Sequence, residues 1–343
     1  MALEGKPQYP IGKAKELEAT KETLPAIEVA NKVIWVNPNL ELPFKLEVGK
    51  PTKLGVFFTP QETSDNHIRR VEVVPHHYRS GILGRIIFRE KGGSRGKNLQ
   101  IYRDVDIKGL GYNTGDYFAS QRWVGSIQPH DAGTRGVMNL QDALHDAEIA
   151  ELLHEQGIRT HRVIAVIKLD EVVVGGKKIR VEDARKLGYI TPSDNPVLEV
   201  RAFGSRARLQ DLDSPKGKLL LGDAKKLVAE ELDINPNEFT EEQYFNWLAR
   251  TTGKNLGLLK KKGWQHSYLS AGHNITLDGR LVDFDTIAAK GTKRLKSLMP
   301  KRFQSSFDFQ EAEYAFKYIV SRHAPQRDKI LKAFRQGFVE GLK

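Results

Sequence analysis

The stretch Asn139–Val166, NLQDALHDAEIAELLHEQGIRTHRVIAV, is where the hydrophobic period of the chain changes, and it decides the fold class. Leu140, Leu144, Ala147, Glu151 and His154 fall on one face of a 3.6-residue repeat, with Ile149, Leu152 and Leu153 beside it. That spacing predicts an amphipathic helix, and Gly157 supplies a left-handed stop at its end. Immediately after it, Arg162–Leu169 reads as a buried strand.

Working towards the N-terminus, strand-like runs dominate: Val33–Val36, Leu54–Phe58, Ile82–Phe88 and the alternating Leu99–Ile107. The Gly- and Lys-rich stretch Lys91–Asn98 reads as a hairpin loop between the last two. The first thirty or so residues are polar, with a short helix expected over Lys13–Lys21, and read as an extension. Towards the C-terminus, Val197–Phe203 is one more strand, and beyond residue 210 the composition turns helical. Thr240-Glu-Glu-Gln243 has capping-box form and leads into Tyr244–Arg250. Glu311–Arg322 and Arg327–Leu342 are amphipathic, with Pro325 between them. The expected organisation is α+β: an N-terminal extension over 1–60, a β-rich lobe over 61–209 and a helical lobe over 210–343. The cleft between two such lobes is a usual place for a ligand.

Composition narrows the chemistry. The 343 residues contain no cysteine, which removes disulfide scaffolds, cysteine nucleophiles, zinc ribbons and cysteine-ligated iron–sulfur clusters together. No apolar run approaches the roughly 20 residues that span a bilayer. The start, MALEGKPQYPIGKAKELEA, lacks the apolar segment of a secretory signal, so a cytoplasmic protein without a membrane partner is expected. Delivery into another cell as an effector stays compatible with that reading. A net charge of +11 and a pI near 9.5 point to a polyanionic partner or to a solvated basic surface. The basic clusters Lys91–Lys97, Lys260–Lys262 and Lys290–Arg302 are not interleaved with aromatics, so nucleic acid is the less favoured partner.

The sharpest constellation lies in His266–Thr286, HSYLSAGHNITLDGRLVDFDT. The Asp278-Gly279 dipeptide between apolar runs predicts a hairpin that brings the Asn274 amide near the Asp283 carboxylate. One amide oxygen and one carboxylate suit Mg²⁺, which takes its remaining ligands from water and phosphates. A turn-capping Asn and a surface Asp are the plainer reading. Lys108 closes an alternating strand, where it could meet a phosphate oxygen and a helix carboxylate, Glu151 first and Glu148 second. Lysine, helix glutamate, Asn and Asp occur in the order that a kinase-like site requires. Gly81-Ile-Leu-Gly84-Arg85 could be a turn that lets backbone approach a phosphate, although two glycines alone carry little weight. Arg201 and Arg208 flank the Gly204-Ser205 turn and could clamp a polyphosphate, with surface salt bridges as the ordinary alternative. His76-His77 and His266 with His273 fit no zinc spacing, and neither a nucleophile elbow nor a P-loop is present.

The blocks DIKGLGYNT, NLQDALHDAEIAELLHEQGIRTHRVIAV, EVRAFGSRARL and HSYLSAGHNITLDGRLVDFDT resemble, in this order, the core blocks of the selenoprotein O family. The resemblance covers roughly residues 75–290. It implies a protein-kinase-like bilobal fold, β-rich N-lobe and helical C-lobe, of a kind long regarded as a pseudokinase. It also implies a protein adenylyltransferase that moves AMP from ATP onto a protein Ser, Thr or Tyr hydroxyl. In that family ATP is bound flipped relative to ordinary kinases. Carried over, the resemblance gives Gly84, Arg85, Lys108, Gly136, Arg201 and Arg208 to ATP, with Glu151 or Glu148 as the helix partner of Lys108. Asn274 and Asp283 would hold Mg²⁺ or Mn²⁺.

The chain departs from the family in three places. His273 stands where the family has an acidic proton acceptor, and a one-residue insertion falls between His266 and Asn274. Arg135 replaces an aspartate just before the glycine matched by Gly136. The chain is also shorter than typical members and has no cysteine for their C-terminal redox site. Histidine can serve as a general base near neutral pH, so His273 is expected to keep that role or to mark altered chemistry. The alternatives to nucleotidyl transfer are a phosphotransferase and an inactive pseudokinase scaffold that binds an anionic partner.

Overall fold

The computed structural model describes residues 22–59, 68–73, 79–90, 100–111, 113–114, 123–124, 136–174, 176–269, 272–284, 287–289 and 307–343. The expected helix at 13–21, the loop at 91–98, His76-His77, Arg135 and the basic run at 290–302 lie outside the described residues. The chain divides into two compact units, one of residues 1–92, 103–145 and 163–202, the other of residues 93–102, 146–162 and 203–343.

The first unit is built on a ten-stranded sheet. Its strands are β1 (Glu22–Glu28), β2 (Asn31–Val36), β3 (Leu40–Glu41), β4 (Val56–Phe58), β5 (Ile68–Val73), β6 (Ser80–Glu90), β7 (Tyr102–Lys108), β10 (Met138–Asn139), β11 (Arg162–Leu169) and β14 (Pro196–Phe203). The short pairs β8 (Asn113–Thr114) with β9 (Trp123–Val124), and β12 (Glu171–Val174) with β13 (Lys177–Arg180), stand apart from it. The spatial order is β2-β11-β14-β7-β6-β5-β1-β4, with β10 on β14 and β3 on β6. β1 lies antiparallel to both β4 and β5, placing Ala26 opposite Phe58 and Leu24 opposite Val71. The stretch expected to be an extension over 1–60 is therefore part of the sheet from residue 22 onward. Leu24, Ala26, Val33, Phe57 and Phe58 are buried in it. Pro25 in the middle of β1 hides the strand from a propensity reading.

At the centre, every residue of β14 is buried, Glu199 and Arg201 included, and β11 is buried at all but one position. Charges in such strands have to be paired inside the protein.

Helix α1 (Leu140–Glu155) begins in the first unit and continues into the second. Gly157 after it has φ +82°, the expected left-handed stop. Its buried stripe shares Ala147, Ile149 and Leu153 with the expected set and adds Ala143, Asp146 and Ala150, whereas Leu144 is 38% exposed. Small side chains, Ala143, Ala147 and Ala150, carry much of the packing face beside Ile149 and Leu153. A short α2 (Val181–Lys186) completes the helices of the first unit.

The second unit carries α3 (Gly217–Glu231), α4 (Glu241–Lys261), α5 (Phe307–Ala315) and α6 (Arg327–Leu342). A π-helical turn, Phe316–Val320, continues α5 into Ser321–His323. Two short strands, β15 (Trp264–Gln265) and β16 (Ala288–Ala289), pair with each other. The N-terminus of α4 has the predicted capping box: Thr240 Oγ1 accepts from Gln243 N at 3.2 Å and Gln243 Oε1 accepts from Thr240 N at 2.7 Å. The apolar core joins Leu153, Leu209, Phe245, Leu248, Leu281, Phe284, Phe316 and Phe334.

Helices α4 and α6 meet backbone to backbone through two Gly-x-x-x-Gly pairs. A Cβ on Gly253 would lie 2.1 Å from the Phe334 carbonyl oxygen, and one on Gly337 would lie 2.0 Å from that of Arg250. Gly257 and Gly341 repeat the contact one turn on, at 2.3 Å from Phe338 O and 2.2 Å from Lys254 O. No described helix is long and apolar enough to cross a membrane.

Candidate functional site

The Asp278-Gly279 stretch forms the turn that its sequence predicts. Gly279 N donates to Thr276 O at 2.9 Å, Thr276 N donates to Arg280 O at 3.0 Å, and Gly279 has φ +74°. A type I turn followed by a left-handed glycine closes a short hairpin in this way. Helix α4 holds the tip: Asn255 Nδ2 donates to Gly279 O at 2.8 Å and the Tyr244 hydroxyl to Leu277 O at 2.6 Å. Behind the turn, Ile275 bridges Leu281 and Val282 N donates to Asn274 O, so the ends of the stretch come together.

Arg208 lies alongside, bridged to Thr276 by backbone pairing. Its Nη1 donates to Asn274 Oδ1 at 2.9 Å and its Nη2 to Asp283 Oδ2 at 2.7 Å. Three of the residues singled out from the sequence thus meet around one guanidinium. Asn274 is buried and its Nδ2 donates to Tyr268 O at 3.0 Å, which fixes the amide so that its oxygen faces Arg208. Asp283 has φ +63°, a left-handed conformation that costs a non-glycine residue energy and that the surrounding contacts must hold.

Sequence reading missed the groups that set this loop in place. On α5, Asp308 accepts from His266 N at 2.7 Å and from Ser267 N at 2.8 Å, while Glu311 accepts from Leu269 N at 2.8 Å. His266 is buried, and its Nε2 donates to Val282 O at 2.8 Å, which fixes the ring tautomer. Asp146 on α1 accepts the Phe284 N–H at 2.9 Å. The His161 ring lies between those of Phe203 and Phe284, with centroids at 5.6 and 5.1 Å. No local pattern marks these contacts, which join segments tens of residues apart. His273, the expected base, is half-buried beside the exposed Tyr268, with ring centroids 6.4 Å apart.

In the first unit the expected residues are placed differently. Arg201 on β14 is 1% exposed and gives Nε and Nη2 to the two carboxylate oxygens of Asp106 on β7, at 3.0 and 2.9 Å. Glu199 lies 3.9 Å from its Nε. Arg201 therefore braces two neighbouring strands, where a phosphate clamp was expected. Lys108, two positions beyond Asp106, is buried at the end of β7. Gly84 and Arg85 lie inside strand β6 rather than in a turn. Gly84 has φ +131°, an irregularity that only glycine takes easily, and Arg85 Nε is 3.3 Å from Asp104. Gly136, with φ +99°, accepts the Gly111 N–H at 2.9 Å through its carbonyl.

Glu151 belongs to the second unit, where it takes both Nε, at 2.6 Å, and Nη2 of the buried Arg162. Burial opposes the charge on Arg162, but hydrogen bonding to Glu151 and the pull of Tyr102 hold its pKa above the ordinary range. Glu148, the second choice, is exposed. Nearby, buried Glu231 accepts from Arg159 at 2.6 Å, from Arg280 at 3.2 Å and from Ile101 N at 2.6 Å. Burial works to raise its pKa, but the two guanidinium groups and the backbone donor leave it below the usual carboxylate value. Arg280 also contacts Asp278, and burial followed by repulsion from Arg159 lowers its pKa. This network anchors the hairpin turn.

Among the described residues, no group of three or more His, Asp or Glu could hold a metal alone. Asn274 and Asp283 fit a magnesium-type site of the sparser kind, since their two oxygens already converge on one cationic group. No protein-family model matches the sequence, and no curated protein matches it either.

Proposed function

We propose that the chain is an ATP-dependent nucleotidyltransferase on a kinase-like fold, with the strand-rich unit as N-lobe and the helical unit as C-lobe. It would move AMP from ATP to a hydroxyl of a protein substrate. The observation that carries this reading is the convergence of Asn274 Oδ1 and Asp283 Oδ2 on one cation at the base of a buried hairpin. Order of motifs, from Lys108 through Glu151 to Asn274 and Asp283, supports it.

In this reading Asn274 and Asp283 hold Mg²⁺ or Mn²⁺, which supplies charge neutralisation at the phosphates. Arg208, in the same unit, carries part of that neutralisation, and Arg201 braces the strand that ends in Lys108. Glu151, whose side chain keeps 13% exposure while bound to Arg162, acts as the acidic group of α1. The acceptor hydroxyl oxygen attacks the α-phosphorus, the bond to the β-phosphate oxygen breaks, and pyrophosphate leaves. His273 takes the hydroxyl proton on its imidazole. Such transfer depends chiefly on positioning and electrostatics, so histidine in place of an acid is sufficient.

ATP labelled at either the α- or the γ-phosphate tests the assignment. Retention of α-label on protein is expected, and Asp283→Ala abolishes it. Retention of γ-label alone would establish phosphotransfer instead. A second reading, a non-catalytic scaffold, draws on His273 and on the engagement of Arg201 with Asp106. Thermal unfolding separates it from both enzyme readings, because a ligand that binds only the native state raises apparent stability. Absence of any shift with millimolar ATP–Mg²⁺ or ATP–Mn²⁺ would favour the scaffold.

A further inference from the structure

We infer that Arg208 is a resident counter-cation that a divalent metal must displace from Asn274 and Asp283, so that metal entry and release of the guanidinium towards phosphate are one event. The inference rests on the metal assignment proposed above and adds a coupling to it. The two oxygens that would ligate the metal are the same atoms that accept from Arg208, at 2.9 and 2.7 Å. They take hydrogen bonds from the two ends of a single planar fork, so its edge fills the gap where a shared cation would sit. A dication in that gap would stand beside a full positive charge in a largely buried pocket, where screening by water is weak. Each oxygen has a second lone pair, but a dication and the guanidinium edge cannot both fill the gap between the two.

The rest of the pocket favours exchange over co-occupation. Asn274 cannot rotate away, since its Nδ2 is tied to Tyr268 O at 3.0 Å. Asp283 is held in its left-handed backbone conformation, and its neighbour Val282 is clasped by His266 Nε2 at 2.8 Å. The Asn274 amide and the Asp283 backbone are held, whereas the arginine has a long side chain. The Arg208 backbone is also anchored: its N–H donates to Asp211 Oδ2 at 2.8 Å and Leu209 N to Ile275 O at 2.9 Å. Only the side chain is free to swing, and a phosphate oxygen offers a guanidinium an equivalent bidentate partner. Without nucleotide, displacing Arg208 strands its charge, so metal alone binds weakly. With ATP present the charge has somewhere to go, and metal and nucleotide bind cooperatively.

Mn²⁺ alone, followed by electron paramagnetic resonance of the free ion without nucleotide, tests the coupling. Arg208→Ala removes the competitor and is expected to bind Mn²⁺ roughly tenfold or more tightly than the wild type, given the usual strength of charge-assisted hydrogen bonds. The same variant should lose the cooperativity between Mn²⁺ and ATP. Equal or weaker Mn²⁺ binding by Arg208→Ala overturns the inference. Should that variant fail to fold, the Arg208 Nε–H resonance of the wild type, assigned through Arg208→Lys, carries the test. It should move as Mn²⁺-matched amounts of Mg²⁺ are added, and a resonance unmoved at saturating metal overturns the coupling. If the wild type binds Mn²⁺–ATP in an Asp283-dependent way and Arg208→Ala behaves like it, only the coupling falls. If Asp283→Ala changes no metal binding at all, the proposed function falls with it.

Discussion

Arg201 gives one edge of its guanidinium, Nε and Nη2, to one carboxylate, that of Asp106, at 1% exposure. Arg208, further along the same stretch EVRAFGSRARL, divides its two ends between the Asn274 amide and the Asp283 carboxylate, whose side chain keeps 17% exposure. The two arginines read alike in sequence, as a pair around a turn. Their partners separate them. A bidentate pair closed between neighbouring strands has satisfied both ions and has no reason to open. A guanidinium shared by a neutral amide and a partly exposed carboxylate holds each partner by one bond and can hand them over. The first arrangement serves the sheet, and the second is where ligand chemistry can enter.

The largest effect comes from breaking the closed pair. Arg201→Ala leaves the Asp106 carboxylate buried without its guanidinium, and loss of one member of a buried pair costs about 3–5 kcal/mol. Equilibrium denaturation should show that drop, and the double variant Arg201→Met/Asp106→Leu should recover much of it. If Arg201→Ala were instead nearly neutral in stability and selectively lost ATP binding, Arg201 would join Arg208 as a ligand group and the contrast would collapse.

Acid should distinguish a third buried arrangement from these two. Glu231 has a folded-state pKa below its ordinary value of 4.5, because the pull of Arg159 and Arg280 outweighs the opposing effect of burial. A depressed carboxylate contributes stability that is fully present above its unfolded pKa and is lost as pH falls through the folded one. The unfolding free energy of the wild type should therefore fall as pH drops below about 4.5. Glu231→Gln should be less stable at neutral pH and show a flatter acid limb. A limb equally steep in the variant would place the proton uptake on other carboxylates.

What could be read from sequence and what could not divides along the same physical line. The hairpin around Asp278-Gly279, the Thr240 cap and the stop at Gly157 depend on neighbours within a few residues, and the residue types alone specify them. The proximity of Asn274 and Asp283 follows from that hairpin. Asp106 as the partner of Arg201 does not, because strand order decides it across 95 residues of chain. Nor does the buried face of α1, where Ala143, Ala147 and Ala150 carry little hydrophobic weight but allow close packing. Gly253, Gly257, Gly337 and Gly341 look like helix-weakening residues until the carbonyls of the facing helix are placed against them. β1 was obscured by Pro25, and the clasp of Asp308 on His266 and Ser267 joins segments that share no pattern.

Arg208→Ala should cost less than Arg201→Ala in stability, about 1–3 kcal/mol, since it removes hydrogen bonds to one amide and one partly solvated carboxylate. Its distinguishing change should be weaker ATP binding, measured by a smaller nucleotide-dependent shift in thermal unfolding.

A smaller perturbation is needed to show that such a change is specific and not a consequence of general loosening. Thr240→Ala supplies it. Thr240 caps α4, the helix whose Tyr244 and Asn255 hold the hairpin tip, but it touches none of the acceptors around Arg208. Removing a threonine cap costs about 1 kcal/mol. The variant should unfold at slightly lower denaturant concentration while binding Mn²⁺ and ATP as the wild type does. If instead it copied the ligand-binding defect of Arg208→Ala at that small stability loss, the site would be governed by the rigidity of α4. Arg208 would then act through the scaffold, as Arg201 does, and the distinction between the closed and the exchangeable arginine would lose its functional meaning.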